Sequence, residues 1–128
     1  MKSLLLVFLL AACGDDGGSP GPDAALTPDA PGASVMEVSC TGLTPAATVM
    51  TTDLSNSYAP MATTISSGQV VKFVTSMNHD VKPNPIATKT DPGLTVGFNK
   101  TSCLKFTATG TFGFLCSVHG FVGSVTVN

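Results

Sequence analysis

The C-terminal stretch GTFGFLCSVHGFVGSVTVN, residues 110–128, constrains the fold more than any other part of the chain. Phe112, Phe114 and Cys116 fall on one face of an alternating segment, and Val125 and Val127 mark a second segment of the same kind. A period of two belongs to an extended strand, whose successive side chains point to opposite faces. Thr109-Gly110 is a turn signal ahead of the first segment. The stretch therefore reads as strand, loop, strand, with the thiol of Cys116 and the imidazole of His119 three residues apart on a tight loop. Such a pair can hold one metal ion, but two donors alone are a weak signal.

Similar patterning recurs upstream. Residues 35–40, 48–52, 62–66, 69–75, 94–98, 103–107 and 111–116 read as strands, with turns or breaks at Thr44-Pro45, Ser67-Gly68, Asp91-Pro92-Gly93 and residues 108–110. Tyr58-Ala59-Pro60 begins an irregular edge. Lys82-Pro83-Asn84-Pro85 cannot continue a central strand, because its two prolines remove ladder donors. Short strands at this spacing predict an all-β sandwich or barrel, one domain over residues 35–128, with no amphipathic helix. The 13 glycines, 9 prolines and only 11% charged residues suit that class. A net charge of −2 without a lysine cluster excludes a nucleic-acid partner, and it is too small to steer any other strongly.

Val70-Val71-Lys72-Phe73-Val74 leads into Met77-Asn78-His79-Asp80-Val81, so a second imidazole stands at a strand end. His79, Cys116 and His119 combine soft sulfur with borderline nitrogen, the donor set of a blue-copper electron-transfer site. Four segments taken in order carry a resemblance: residues 65–73 (ISSGQVVKF), His79-Asp80-Val81, Gly110-Thr111-Phe112 through Cys116-x-x-His119, and Gly123-x-Val-Thr-Val. From about Tyr58 to Asn128 the chain resembles small cupredoxins of the plastocyanin, pseudoazurin and amicyanin type. The resemblance implies a Greek-key β-sandwich with one type 1 copper held by His79, Cys116 and His119.

It implies further roles. The family usually has an axial Met soon after the second His, and this loop has none. Counting forward from His119 puts that slot at Val122, and counting back from Gly123 puts it at Phe121; Val122 is the preferred occupant, and both are apolar. The family commonly bridges an Asn after the first His to a hydroxyl after the Cys, which here would be Asp80 and Ser117; a simply solvated Asp80 is the alternative. Leu115 stands where plastocyanin has an aromatic residue associated with a remote acidic docking site, so partners are expected instead at the edge of His119, framed by Gly120, Phe121, Pro83 and Pro85. Phe121 packed into the loop is the plainer reading of that residue.

The N-terminus reads as an export signal. Lys2 and the apolar run from Leu4 to Leu10 are too short to span a bilayer, and Leu10-Ala11-Ala12-Cys13 looks like a bacterial lipobox. Residues 1–12 would be removed and Cys13 lipidated, anchoring the protein to a membrane; an ordinary signal peptide with an incidental Cys is the alternative. Residues 13–34, rich in Gly, Pro, Asp and Ala, read as a disordered tether. Of the four cysteines, Cys40 and Cys103 remain. In an exported chain a disulfide between them is the simplest assignment, with two separate buried thiols as the alternative.

Together these features predict a periplasmic, membrane-tethered, monomeric type 1 copper protein that passes single electrons between redox partners and is not an enzyme. A copper-binding or delivery protein and a metal-free cupredoxin-fold interaction domain are the alternatives.

Overall fold

Nine strands carry the regular structure of residues 33–128, the part of the chain that the computed structural model describes. They are β1 (Val35–Val38), β2 (Ala47–Thr52), β3 (Ser55–Ala59), β4 (Ala62–Ile65), β5 (Val70–Val74), β6 (Lys82–Pro83), β7 (Thr101–Phe106), β8 (Gly110–Leu115) and β9 (Val122–Val127). One sheet has the order β1-β7-β5-β2-β3 and the other β4-β9-β8-β6. Both are mixed, since β2 pairs with β5 and β4 with β9 in parallel while the remaining pairs are antiparallel. The domain is all-β, and no helix among the described residues is long and apolar enough to cross a membrane.

Alternation along the strands builds the core. Val71 and Phe73 of β5, Leu104 and Phe106 of β7, Phe112 and Phe114 of β8, and Val125 and Val127 of β9 all point inward. Phe73 meets Phe114 edge-on, and Phe106 meets Phe112, in both cases with centroids 5.5 Å apart. These contacts join the two sheets, and aromatic pairs in this geometry add to what area burial alone contributes. The Cys40–Cys103 disulfide forms, with Cα atoms 5.3 Å apart, just past the end of β1. Its sequence separation of 63 corresponds to a stabilisation of about 4 kcal/mol on the chain-entropy account.

Two segments depart from the sequence expectation. Residues 94–98 form no strand: Leu94 and Val96 are buried in a loop fastened by reciprocal hydrogen bonds between Val81 and Val96. Burial of apolar side chains under a loop imitates the strand pattern without a ladder. Conversely, Ser55–Ala59 is a strand paired with β2. Its residues SNSYA bury only Tyr58, so no alternation announces it. Pro83 lies in the two-residue edge strand β6, where a missing donor is tolerated.

The sandwich has two distinct poles. β5 runs from Val70 to Val74 and leads on to His79, while β8 ends just before Cys116. Register pairs Val74 with Thr101 at that pole, and Val35 with Phe106 at the other. At the second pole the Ser34 amide donates to Asp91 Oδ2 (2.6 Å), and the Thr107 amide donates to the Ser34 carbonyl (2.8 Å). Ser34, where the tether was expected to end, is thus fastened to the domain. The expected signal segment, Cys13 and the tether up to residue 32 lie outside the described residues.

Candidate metal centre

Cys116 follows β8 with the parity of Phe112 and Phe114, so its side chain is buried within the sandwich. The chain then turns back on itself. The Gly120 amide donates to the Cys116 carbonyl (2.9 Å), and the Cys116 amide donates to the Phe121 carbonyl (3.0 Å). Gly120 has φ +70°, a left-handed conformation that a side chain would penalise. This turn brings His119 Nδ1 to 3.8 Å from Cys116 Sγ, while the rest of His119 stays exposed.

His79 arrives from the other sheet. Beyond β5, Thr75 pins the backbone by donating its hydroxyl to the Gly97 carbonyl (2.6 Å). The His79 ring is 1% exposed and stands edge-on to the rings of His119 and Phe121, each with centroids 4.9 Å away. Its Nδ1 is 3.1 Å from Ser76 Oγ, and its Nε2 is 3.3 Å from Asn56 Oδ1. Ser76 is itself held, its amide donating to Thr51 Oγ1 (2.8 Å).

Asp80 ties the two loops together. It is 1% exposed, so it is not the solvated carboxylate that was the alternative. Ser117 donates its amide to Oδ1 and its hydroxyl to Oδ2, both at 2.7 Å. The Tyr58 hydroxyl donates to the Asp80 carbonyl (2.6 Å), and the Tyr58 ring packs on Phe114 and Phe121. Burial, then the neighbouring Cys116 and Asp80, push the Tyr58 phenol far above the ordinary tyrosine range. At the rim, Asp53 Oδ1 accepts from the Asn78 amide (3.1 Å). Sequence reasoning did not find Tyr58, Asn56 or Ser76, because they sit in the strand and loop that carry no hydrophobic period.

Comparison with known proteins bears on the whole arrangement. No family model matches the chain, and no curated protein does. Solved structures do match. Amicyanin from Paracoccus versutus superposes with a TM-score of 0.53 at 19% identity, over 75% of this chain and 99% of that one. A purple cupredoxin from Nitrosopumilus maritimus gives 0.52 at 20% identity, over 64% and 99%. A single-residue mutant of amicyanin in its reduced Cu(I) form at pH 4 gives 0.52 at 18% identity, over 74% and 99%. The fold is cupredoxin-like. Identities this low speak for the fold, and the chemistry of this cupredoxin-like domain rests on its own side chains.

Register sets the two residues named for the axial slot on opposite faces. In β9, Gly123, Val125 and Val127 face inward, so Phe121 shares their parity and Val122 faces out, 47% exposed. Gly123 fixes that parity, since a Cβ there would lie 2.5 Å from the Phe114 ring. Phe121, and not the preferred Val122, is the residue placed beside both imidazoles. The forward count from His119 leads to the outward-facing residue, and the count back from Gly123 to the inward-facing one.

The donors suit copper in kind: a buried thiol and two imidazoles. Among the described residues, no three His, Cys, Asp or Glu side chains are gathered closely enough to hold an ion as they stand. Cys116 and His119 are in contact, whereas His79 is turned to Ser76 and Asn56. Both imidazoles open on a cleft of about 350 Å3 that is also lined by Asp53, Asn56, Met77, Asn78, Phe98 and Val118. The apolar part of this cleft comes from Met77, Phe98 and Val118, while Phe121, of the frame expected around His119, stacks on its ring with centroids 6.5 Å apart.

Proposed function

We propose that this domain is a type 1 copper electron-transfer protein, with His79, Cys116 and His119 as ligands, working outside the cytoplasm and anchored to a membrane through lipidated Cys13. The observation that carries it is the contact between a buried thiol and an otherwise exposed imidazole, Cys116 Sγ to His119 Nδ1 at 3.8 Å, with the His79 ring beside them. The cupredoxin-like fold and the Cu(I) form of a similar amicyanin support the choice of metal.

A bound copper ion would supply the one-electron couple. The chain's own residues do the rest. The paired hydrogen bonds from Ser117 to Asp80 hold the Cys116 loop against the His79 loop. Buried carboxylate bonds of this kind orient metal ligands and restrict their movement, which keeps reorganisation small when charge changes. The Phe121 ring covers the inner side of the imidazoles and offers no donor there. The exposed edge of His119, beside Met77, Phe98 and Val118, is the exit for an electron to a transiently docked partner.

Adding Cu(II) to the purified full chain tests this. An intense visible charge-transfer band with reversible redox is expected, and Cys116→Ala should abolish it. The same band in Cys116→Ala overturns the thiolate assignment. Binding without stable redox cycling points to delivery, and no binding to a metal-free interaction domain.

A further inference from the structure

We infer that Asn56 is a positioning residue for His79: it fixes which ring nitrogen carries the proton, and the Ser76 hydroxyl holds the other nitrogen in the absence of a metal. The inference rests on the proposed copper site only for what happens on metal binding; the proton placement stands without it. A neutral imidazole has one donor nitrogen and one acceptor nitrogen. Asn56 presents its carboxamide oxygen to His79 Nε2 at 3.3 Å, and a carbonyl oxygen can only accept. Nε2 must therefore carry the hydrogen. Nδ1 is left with its lone pair free, and the Ser76 hydroxyl, 3.1 Å away, donates to it.

The consequence for a ligand site is specific. Nδ1 is also the nitrogen that His119 turns toward Cys116 Sγ. With Nε2–H committed to Asn56, His79 too offers Nδ1, so the two imidazoles present the same kind of donor. An ion can take His79 Nδ1 only by displacing the Ser76 hydroxyl. Ser76 Oγ also lies 3.1 Å from Thr51 Oγ1, and only one hydrogen can lie between those two oxygens. Displacement therefore costs the hydroxyl pair one hydrogen bond, and that cost works against metal uptake.

The experiment is 15N NMR of the His79 ring in the metal-free full chain at pH 8, above the ordinary histidine range, followed by competitive Cu(I) titration. Wild type should show Nε2 protonated and Nδ1 bare. Asn56→Leu, of similar size but without the acceptor, should show a mixture of tautomers and a Cu(I) affinity lowered about 10- to 100-fold, the usual effect of losing an outer hydrogen-bond partner. Asn56→Asp, which keeps an oxygen, should restore the wild-type tautomer. Ser76→Ala should leave the tautomer unchanged and raise Cu(I) affinity several-fold, because it removes the competing bond; a role in mere structural support predicts the opposite sign. A wild-type ring protonated on Nδ1, or an Asn56→Leu ring with unchanged tautomer, overturns the inference. If Asn56→Leu shifts the tautomer but no variant takes up copper, Asn56 keeps its positioning role and the copper reading falls.

Discussion

Asp80 brings a carboxyl group into a buried place and accepts two hydrogen bonds there from Ser117. A carboxylate at roughly 7 Å from a bound metal favours the more oxidised ion by about 2 kcal/mol at an effective dielectric near 20. Asp80→Asn can keep the link, with its oxygen accepting from the Ser117 amide and its nitrogen donating to the Ser117 hydroxyl. The loops should then stay joined while the reduction potential, followed by protein-film voltammetry, rises by up to that equivalent. A potential that stays put would mean that the carboxylate is neutralised in the folded protein. Phe121 and Val122 offer a second test on adjacent residues. Parity places only Phe121 beside the imidazoles. Phe121→Met should therefore lower the potential, because a thioether donor stabilises Cu(II) more than Cu(I). Val122→Met, facing outward, should leave it unchanged. The reverse pattern would return the axial slot to Val122.

At the scale of elements, β9 shows how a single glycine sets the side of a strand. Its Cα passes so close to the Phe114 ring that a Cβ would lie 2.5 Å from it and 3.0 Å from the Met61 carbonyl oxygen. Gly123→Ala should destabilise the domain by about 1–3 kcal/mol, the usual range for overpacking a close-packed core, as read from denaturant midpoints. A neutral result would show that β9 can slide away from β8, and with it Phe121. Elements also show what the sequence could tell. β5, β8 and the later part of β9 were legible because each alternates between the core and the other face, and Cys116 inherited its inward direction from the same count. Gly120-Phe121 was ambiguous because two anchors, His119 and Gly123, imply different offsets and only packing against Phe114 chooses between them. β3 was invisible because Ser55–Ala59 earns its place through ladder bonds to β2 and one buried tyrosine. That same strand carries Asn56 and Tyr58 to the site, so the supporting residues were hidden with it.

For the molecule as a whole, Tyr58 links the pH dependence of folding to the site. Its phenol is pushed upward by burial, so the folded state keeps a proton that the unfolded chain releases near pH 10. The sign follows from linkage: this contribution is complete below about pH 10 and is lost as pH rises further. Tyr58→Phe loses the bond to the Asp80 carbonyl and should be less stable at neutral pH by roughly 1–3 kcal/mol. The gap to wild type should narrow above about pH 10 in urea titrations, and a gap that stays constant to higher pH would show that the phenol ionises freely in the fold. The disulfide has a different bearing, which is mechanical. A pull applied at Ser34 would open β1 from its Val35 end, peeling it off β7 one residue pair at a time. That tear travels only a few residues before it reaches Cys40, whose covalent link to Cys103 arrests it. Tension on the N-terminal side is thereby spent first on one edge strand and then handed at Cys103 to β7, in the sheet that does not contain β8 and Cys116.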